Sequence, residues 1–396
     1  MRVHALFGLA AFCAAAAQLP GQTVPDSVRE KANVVRPGRE PATEERIRQL
    51  KLPPGFEIQV FADGLGSPRM LAVASDGAVY VTRRRSDDCL MLKDADGDGR
   101  ADQRSVVARE PGLHGIALDG NRAYFASVRE VFVADRQADG SFGPLRTILQ
   151  GLPEAGQHPN RTLGIGPDRM LYISVGSTCN ACIENSPESA TILRAPLTGG
   201  KREIYSSGLR NTVGFAWHPN TGELWGVDNG TDWLGDQEPP EELNHLVQGA
   251  RYGWPFVTGK GVPFPFLNPP GGKTAQEWAR ESRDPVLTYT AHAAPLQMAF
   301  YTGRQFPAEY AGDAFVAMHG SWNREPPSGY EVVRIRFQNG KPVAMESFLT
   351  GFLLEVSGGW RHFGRPAGVA VTPDGALLVS DDSNGIIYRI SYRANR

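Results

Sequence analysis

The 396-residue sequence lacks several features that would assign it to a common class of protein. No stretch after its N-terminal residues is long and apolar enough to cross a bilayer. The formal net charge is only −2, so neither a nucleic-acid binder nor a basic membrane-surface protein is indicated. No G-x-G-x-x-G follows a strand, and G-x-S-x-G and H-E-x-x-H are both absent. Nicotinamide binding, serine hydrolysis and zinc-protease chemistry therefore have no support.

Cysteine is scarce as well, with four residues in the whole chain. Cys179 and Cys182 are separated by two residues, which in an exported protein is typical of a small-loop disulfide. The alternative, a thioredoxin-like redox motif, lacks its βαβ context, and no histidine follows Cys182 as covalent haem attachment requires. Cys89 is left as a buried or free thiol.

The N-terminal residues indicate export. An arginine precedes an apolar run from Ala5 to about Ala17, which predicts a signal peptide over residues 1–17. A lipid anchor at Cys13 is the weaker alternative, because bulky Phe12 precedes it where a small residue is expected. We therefore expect the protein in the periplasm or outside the cell. Residues 18–50 are expected to form a polar linker and a short helix with Thr43 as its N-cap.

Turn-forming residues are abundant, with 45 glycines and 30 prolines, which favours an all-β fold for residues 51–396. One unit recurs there: an apolar strand that begins with small residues, a turn, and a strand with aromatic or β-branched residues. The repeats begin at Ser67, Gly112, Arg161, Asn211, Ala294 and Arg365. The first three steps are about 45 to 50 residues, the length of a four-stranded propeller blade, and the last two require insertions.

The repeats therefore predict a six-bladed β-propeller of four-stranded antiparallel blades. Further strand pairs between the repeats are expected to complete the blades, at Val131–Ala134, Ile192–Ala195, Val332–Phe337 and Ile386–Ser391. A β-sandwich, or two unrelated β domains, is the alternative, but regular repetition of one hairpin favours the propeller.

A hairpin reverses direction, so residues before each first strand and after each second strand should meet at one end of the central channel. That end would collect Arg69, His114, His158, Arg161, Arg210, Asn211, His319, Trp322, Arg324, Arg365, Asp381 and Asp382. These side chains are scattered over the sequence and would be neighbours in space.

Three segments near that end carry candidate chemistry. His158 could be a general base, or an ordinary loop histidine. Arg210, followed by Asn211, could hold an anionic or carbonyl-bearing ligand, or tie blades together through backbone carbonyls. The loop Asp228–Thr231 could donate carbonyl oxygens to a metal, or be an ordinary loop.

A separate acidic loop, KDADGDGRADQ, has the spacing of a calcium site. Asp94, Asp96, Asp98 and Asp102 fall at positions one, three, five and nine, and Gly99 at position six permits a sharp bend. Position twelve is Ser105 rather than the usual glutamate, so a plain acidic surface turn is the alternative. A calcium ion here would stiffen a blade.

Several stretches together resemble the soluble quinoprotein sugar dehydrogenases, the glucose/sorbosone dehydrogenase family that uses pyrroloquinoline quinone (PQQ). The resemblance is carried by HPNRTLGIGPDRMLYISVGS, SGLRNTVGFAWHPNTGELWGVDNG, EELNHLVQGARYGWP, FVAMHGSWNR and RPAGVAVTPDGALLVSDD. The stretches GSTCNAC, AHAAPLQMAFY and HGSWNR make the L-sorbosone dehydrogenase-like branch look closest.

The resemblance implies a PQQ and one calcium ion at the mouth of the channel. His158 matches the family's catalytic base, and Arg210 and Asn211 match its cofactor-binding pair. Gly230 and Thr231 fall where backbone carbonyls bind the calcium.

Further along the chain, Arg365 matches an arginine that contacts the cofactor's carboxylates. His319 stands where glucose-oxidising members have a lysine, and Ala367 replaces a second arginine.

The function expected from the resemblance is oxidation of a sugar, sugar aldehyde or polyol, with electrons passed to a separate cytochrome or quinone. Two alternatives from other classes are a calcium-dependent propeller lactonase and a propeller that binds a glycan or protein partner without turnover. The mouth is richer in arginine and histidine than the carboxylate-lined metal site of that hydrolase class, which favours the dehydrogenase.

Overall fold

The computed structural model describes residues 33–154 and 156–393, so the predicted signal peptide and Cys13 lie outside the described residues. The described α-helices are α1 (Glu44–Arg48) and α2 (Ala275–Glu281), and two short 3-10 helices span Pro270–Gly272 and Ala308–Tyr310. The described strands are β1 (Gly38–Arg39), β2 (Phe56–Ala62), β3 (Leu71–Val73), β4 (Val79–Arg83), β5 (Asp88–Lys93), β6 (Gln103–Arg109), β7 (Gly115–Asp119), β8 (Arg122–Ala126), β9 (Val131–Asp135), β10 (Arg146–Leu149), β11 (Leu163–Ile165), β12 (Met170–Val175), β13 (Thr191–Pro196), β14 (Glu203–Ser207), β15 (Thr212–Trp217), β16 (Leu224–Asp228), β17 (Glu241–Leu246), β18 (Val257–Thr258), β19 (Val262–Pro263), β20 (Leu287–Tyr289), β21 (Pro295–Phe300), β22 (Ala314–Met318), β23 (Glu331–Gln338), β24 (Lys341–Leu349), β25 (Leu353–Val356), β26 (Gly359–His362), β27 (Pro366–Val371), β28 (Leu377–Asp381) and β29 (Ile386–Tyr392).

The short helix expected before the β structure is present as α1. Thr43 Oγ1 accepts a hydrogen bond from the backbone N–H of Arg46 at 3.3 Å, so the predicted N-cap is confirmed. Glu44 and Glu45 occupy the first turn, where a negative charge interacts favourably with the helix dipole.

Six four-stranded antiparallel sheets contain 24 of the 29 described strands, which confirms the all-β expectation. Each sequence repeat supplies the first two strands of one sheet, and the further segments expected to be strands are present as β9, β13, β23 and β29. The sheets are β3-β4-β5-β6, β7-β8-β9-β10, β11-β12-β13-β14, β15-β16-β17-β20, β21-β22-β23-β24 and β27-β28-β29-β2. Sheets of this kind are the blades of a β-propeller, with which the fold is consistent.

The hydrophobic core lies between successive sheets. Each of six apolar clusters joins two neighbouring sheets, and the last of them joins the sixth sheet to the first. Representative pairs are Tyr80 and Phe125, Tyr124 and Ile173, Tyr172 and Phe215, Trp225 and Val316, Phe315 and Val379, and Leu378 and Val79. Every sheet therefore packs against two others, which a two-sheet sandwich does not provide.

The innermost strands approach one another closely. A Cβ atom added to Gly214 in β15 would lie 2.0 Å from the carbonyl oxygen of Leu296 in β21. A side chain as small as a methyl group therefore does not fit there, and the small residues at the start of each repeat follow from this spacing.

The sixth sheet contains strands from both ends of the chain. β2 pairs antiparallel with β29, with Phe56 opposite Tyr392. The Phe56 ring lies 4.7 Å from Phe306, 5.0 Å from Phe348 and 5.0 Å from Tyr392, measured between ring centroids. This pairing connects the first described strand of the propeller-like region to the last.

The segment expected to be a linker differs from the prediction in its described part. Gly38 and Arg39 form β1, which pairs in parallel with Arg361 and His362 of β26. The backbone N–H of Glu40 also donates to the carbonyl oxygen of His362 at 2.7 Å. Backbone hydrogen bonds therefore attach this segment to the body of the protein. Among the described residues, no helix is both long enough and apolar enough to span a membrane.

Candidate active site

The loops that should carry the site do lie at one end of the sheets. Thr82, in β4, donates from Oγ1 to the carbonyl oxygen of His114, just before β7, at 2.7 Å. Ser380, in β28, donates to the carbonyl oxygen of Arg69, just before β3, at 2.7 Å. We call this end the mouth; it is formed by residues 63–70, 84–87, 110–114, 127–130, 150–154, 156–162, 176–190, 208–211, 229–240, 290–294, 319–330, 350–365 (which include β25 and β26) and 382–385.

His158 lies in the loop before β11, with its imidazole oriented by Ser177. Its Nδ1 is 2.8 Å from the carbonyl oxygen of Ser177 and 2.9 Å from Ser177 Oγ. A carbonyl oxygen can only accept, so Nδ1 carries the proton and Nε2 keeps its lone pair. Burial, and then the positive charge of Arg210, lowers the pKa of His158 to about 3. The side chain is therefore a neutral imidazole at ordinary pH.

Arg210 precedes β15 and is only 4% exposed. Its Nε donates to the carbonyl oxygen of Asn180 at 2.9 Å, and its Nη2 donates to Asn180 Oδ1 at 2.8 Å. Nη2 also forms an ion pair with Asp232 at 3.0 Å. Nη1 donates to the carbonyl oxygen of Asn229 at 3.4 Å, which leaves one N–H of Nη1 without a partner among the described residues.

Asn211 and His158 lie on either side of Gly176, the residue that follows β12. A Cβ atom added to Gly176 would lie 2.6 Å from His158 Cβ and 2.8 Å from Asn211 Oδ1. The two candidate side chains are therefore close neighbours, and glycine is the residue that leaves room for both.

Three carboxyl groups lie near Arg210 and Asn211, and two of them, Asp228 and Glu241, are buried. Asp228 accepts hydrogen bonds from the backbone N–H groups of both residues at 2.9 Å, and burial raises its pKa to about 6. Glu241 accepts from the backbone N–H of Gly230 at 2.8 Å, and burial raises its pKa to about 7. Burial, and then the negative charge of Asp228, raises the pKa of Glu242 to about 8.

A cavity of about 20 Å³, room for one water-sized group, lies among these residues. Arg210, Asp228, Gly230, Thr231 and Glu242 are among its lining residues. Thr231 is 1% exposed, and its Oγ1 has no hydrogen-bond partner among the described residues. Two carboxyl-bearing residues, Asp228 and Glu242, are thus among the residues around the cavity, and apolar residues such as Trp254 and Val257 complete its wall.

A second group of charged residues occupies the mouth beside β27 and β28. His319 Nε2 donates to Asp382 Oδ1 at 2.9 Å, and Arg69 pairs with Asp382 Oδ2 at 2.6 Å. Burial acts to raise the pKa of Asp382, but attraction to His319 and Arg69 outweighs it and holds the pKa well below its usual range. Arg365 donates to the carbonyl oxygens of His319 at 3.0 Å and Gly320 at 2.6 Å.

An open recess of about 620 Å³ adjoins this group. Its lining includes Arg39, Arg85, His319, Arg365 and Asp382, so cationic side chains outnumber carboxylates there. Arg85 is exposed and has no ion pair or hydrogen bond to another described residue. The recess therefore favours an anionic group.

The two halves of the mouth are connected through Asp232. Its Oδ2 pairs with Arg210 at 3.0 Å, and its Oδ1 accepts from Asn323 Nδ2 at 2.9 Å. Asn323 lies in the same loop as His319. His158, Arg210, Asn211, Gly230, Thr231, His319 and Arg365 therefore all lie at the mouth, as expected from the sequence.

Two other residues expected at the mouth are buried there and offer no side chain to a ligand. Arg161 is fully buried, and its guanidinium donates to the carbonyl oxygens of Val128, Pro153 and His158, which satisfy its hydrogen-bonding groups. His114 is fully buried as well.

The predicted disulfide between Cys179 and Cys182 is confirmed, and Cys89 is a buried free thiol. Ala367, at the position of the family's second arginine, is buried against Val213 and Leu296. Ala367 therefore cannot supply the positive charge that the family's second arginine provides.

The acidic loop lies at the end of the sheets opposite the mouth, between β5 and β6. Carboxylate oxygens of Asp94, Asp96 and Asp102 lie within 4.8 Å of one another. Asp98 is outside this group, and its Oδ1 accepts instead from the backbone N–H of Arg100 at 2.7 Å. A calcium ion in this loop stays a prediction, with three carboxylates in place of the four expected.

Comparison with known proteins identifies the family of this chain. The TrAA12-like family model matches residues 50–393. The chain belongs to the TrAA12-like family. The resemblance to PQQ-dependent sugar dehydrogenases expected from the sequence is confirmed by the relatives of this family.

Two relatives and one solved structure show the extent of the similarity. An uncharacterised protein of Borreliella burgdorferi is 30% identical over 371 residues, covering 89% of this chain and 93% of the relative. A PQQ-dependent sugar dehydrogenase of Hypocrea jecorina is 25% identical over 404 residues, covering 86% and 89%. A calcium structure of the Trichoderma reesei family AA12 enzyme has a TM-score of 0.73 at 23% identity, covering 87% and 97%.

Several residues of the TrAA12-like site were not found from the sequence. Ser177, Asn180 and Asp232 act through hydrogen bonds to His158 and Arg210, and no spacing rule indicates such partners. The adjacent carboxylates Glu241 and Glu242 were visible in the stretch EELN, but nothing in the stretch shows that Glu241 is buried or that both pKa values are raised.

Proposed function

We propose that this TrAA12-like protein is a PQQ- and calcium-dependent dehydrogenase that oxidises a sugar, sugar aldehyde or polyol. The observation that carries the proposal is the neutral, oriented imidazole of His158 beside the Arg210 guanidinium, at the end of the sheets where the recess is cationic. The PQQ-dependent sugar dehydrogenase of Hypocrea jecorina, similar over most of its length, supports the same reaction class.

The proposal includes a closed ring of six blades around the mouth. The six inter-sheet clusters, of which the last joins the sixth sheet to the first, support six blades and closure. The pairing of β2 with β29 supplies a backbone connection between the chain ends. In such a ring, the loops that carry His158, Arg210 and Arg365 surround one channel.

The side chains of the mouth fit PQQ, which is a flat tricarboxylic acid. Arg365 and Arg85 provide guanidinium groups, which match carboxylates in shape and charge. Arg39 and His319 line the same recess, and Asp382 already pairs with Arg69 and accepts a hydrogen bond from His319. When bound, PQQ supplies the quinone that accepts two electrons from the substrate.

The small cavity beside Arg210 has oxygen-bearing residues that suit a calcium ion. Calcium prefers oxygen ligands, and the lining includes Asp228, Glu242 and Thr231, whose Oγ1 has no partner among the described residues. Backbone carbonyls of Gly230 and Thr231 are the proposed ligands of the cofactor's calcium. The calcium structure of the Trichoderma reesei enzyme supports the same ion for the shared fold.

His158 is the proposed general base. Its Nδ1–H is held by Ser177, so Nε2 is the atom that accepts the proton of the substrate hydroxyl. Hydride leaves the carbon that bears this hydroxyl group. Arg210 is held in place by Asn180 and Asp232, and its remaining N–H stabilises developing negative charge, an effect typically worth about 3 kcal/mol.

Reconstitution tests this proposal. Metal-free protein is loaded with PQQ and calcium, and the reduction of an artificial dye is followed with a panel of aldoses, sugar aldehydes and polyols. We expect sugar-dependent dye reduction that His158→Gln lowers by about 10² to 10⁴, the typical contribution of a general base. The exposed substitution Ile183→Ser, at the same mouth, is the control.

Dye reduction that needs no PQQ, or normal turnover by His158→Gln, would contradict the proposal. A lactonase or a non-catalytic glycan binder would reduce no dye with any of these compounds.

The proposal also includes export of the protein and transfer of electrons to a separate cytochrome or quinone. The Cys179–Cys182 disulfide supports an oxidising compartment.

A further inference from the structure

The loop that contains the disulfide touches both proposed catalytic residues. Residues 176–190 connect β12 to β13 and contain neither strand nor helix. Within this stretch, Ser177 contacts His158, and Asn180 contacts Arg210. The disulfide between Cys179 and Cys182 closes a turn that follows Ser177 and contains Asn180. The geometry of both hydrogen-bonded contacts therefore depends on how far this irregular segment can move.

On the His158 side, the loop determines which ring nitrogen carries the proton. Ser177 Oγ donates its single hydrogen to the carbonyl oxygen of Cys179 at 2.7 Å. Ser177 Oγ can then only accept from His158 Nδ1, as the Ser177 carbonyl oxygen also does. Three atoms of the loop thus act together to keep the proton on Nδ1 and the lone pair on Nε2.

On the Arg210 side, the loop fixes the direction of the guanidinium. Asn180 accepts from Nε through its carbonyl oxygen and from Nη2 through Oδ1. The same Oδ1 accepts from the backbone N–H of Asp232 at 2.8 Å, and Asn180 Nδ2 donates to the Asp232 carbonyl oxygen at 3.1 Å. Asn180 therefore holds Arg210 and its ion-pair partner in one arrangement.

The rest of the loop is anchored on both sides of the disulfide. Glu184 accepts from the backbone N–H and from Oγ1 of Thr178, both at 2.7 Å. Ala181 is 4% exposed and packs with Phe256 and Phe264. The Thr178–Glu184 contacts join residues on either side of the disulfide, and Ala181 packs within the turn that it closes. The oxygens that contact Ser177 and Arg210 belong to Cys179 and Asn180, in the same turn.

We propose that the Cys179–Cys182 disulfide is a positioning device for catalysis, with Ser177 and Asn180 as positioning residues. The turn closed by the disulfide maintains the hydrogen bond from Ser177 to the Cys179 carbonyl oxygen and those from Arg210 to the Asn180 oxygens. His158 therefore presents Nε2 to the substrate, and the Arg210 guanidinium keeps its direction. This inference rests on the proposed function for its catalytic meaning, but the state of the His158 ring can be measured without turnover.

The test compares wild type with the double variant Cys179→Ser/Cys182→Ser in the full-length protein. Nitrogen-15 NMR of the histidine rings, with His158→Gln to assign the signal, reports the tautomer. We expect one Nδ1–H tautomer in wild type and a mixture in the double variant. With PQQ and calcium bound, kcat should fall at least about tenfold with little change in the KM for the sugar, because misplaced catalytic groups slow the chemical step.

The pH profile separates positioning from simple loss of stability. A loosened loop exposes His158 to water, so its pKa should move up toward the usual value and the acid limb of kcat/KM should move to higher pH. A merely destabilised protein would lose active molecules without changing the tautomer or the pH profile of those that remain. Ile183→Ser, which is in the same loop and 59% exposed in wild type, is the matched control.

A single Nδ1–H tautomer together with wild-type kcat in the double variant would overturn the proposal. If the double variant does not fold, the same spectrum is taken on wild type after reduction with a water-soluble phosphine. The phosphine gains oxygen from water as the disulfide takes up two electrons and two protons. An unchanged tautomer in the reduced protein then overturns the proposal. If wild type reduces no dye with any sugar, the proposed function fails while the NMR result still decides the positioning role.

Discussion

At the scale of single residues, the state of His158 depends on its surroundings more than on its own chemistry. Ser177 accepts from Nδ1, and burial together with Arg210 keeps the ring neutral. A histidine in a solvated loop would titrate near neutrality, where part of the population cannot accept a proton. The surroundings of His158 therefore keep the base in its active form over a wide range of pH.

This leads to a prediction about pH. His158 must be neutral to act, and its pKa is lowered to about 3, so kcat/KM of wild type should hold well below pH 6.5 on the acid side. Arg210→Met removes a cation that opposes protonation of the ring, so the pKa of His158 should rise and the acid limb should move to higher pH. The measurement is kcat/KM against pH for the PQQ- and calcium-loaded enzymes.

The exposed arginine Arg129, which pairs with Glu154 at the surface, provides the control for loss of a charge. Arg129→Met should leave the acid limb where it is in wild type. An acid limb near pH 6.5 in wild type, or one that Arg210→Met leaves in place, would show that His158 is not held neutral by these surroundings.

Residue identity at the mouth could be predicted from the sequence where a motif carried it, as for His158, Arg210 and Arg365. The hydrogen-bond partners could not, because Asn180 and Arg210 are far apart in the sequence and their contact depends on the path of an irregular loop. Arg39 was missed for a different reason: a strand of two residues has no periodicity from which to predict it.

At the scale of elements, strand ends bring together residues that the loops alone could not hold. Gly176 directly follows β12 and lies between His158 and Asn211. The space between these two side chains is too small for a methyl group on residue 176. Its backbone is not in the left-handed region, so steric space alone requires glycine here.

Gly176→Ala should therefore displace His158 or Asn211 with little change in the overall fold. We expect kcat/KM to fall by up to about 10²-fold, because a shift of about 1 Å in a catalytic group has an effect of this size. Steady-state kinetics and thermal unfolding should be measured on the same preparation.

Gly143→Ala is the matched control, because an added Cβ there meets no atom closer than 3.4 Å and its φ is not positive. Both enzymes should fold, and only Gly176→Ala should lose activity. Equal activity in the two variants would mean that the site can move aside to accept a methyl group.

Elements were the most predictable level. The hairpins of all six repeats and four of the third strands follow from alternation, turn residues and β-branched side chains. The outermost strand of the sixth sheet is different, because β2 and β29 are separated by almost the whole chain and only the three-dimensional path pairs them.

At the scale of the whole molecule, stability comes from the clusters between sheets and from the sheet that joins the chain ends. Phe56 in β2 packs edge-on against Phe306, Phe348 and Tyr392, which belong to the fifth and sixth sheets and the loop between β21 and β22. One aromatic ring in β2 thus connects the first strand of the six sheets to β29, the last.

Phe56→Ala should lower the free energy of unfolding by about 3 kcal/mol, near the low end for loss of a buried aromatic ring because Phe56 is only partly buried. Urea unfolding followed by tryptophan fluorescence measures this. Val106→Ala, at a position 40% exposed on β6, should change the same free energy by less than about 0.5 kcal/mol. A similar small change for both variants would show that this ring does not hold the end sheet in place.

The direction of β29 has a practical consequence. Its first residue, Ile386, pairs with Asp381 beside the mouth, so Tyr392 lies at the opposite end of the sheet. The segment 33–40, in contrast, runs along the rim, where Arg39 lines the recess. A linker attached after Tyr392 would let the protein stand on an electrode with its open face toward the solution, whereas one attached near Arg39 would turn that face toward the support.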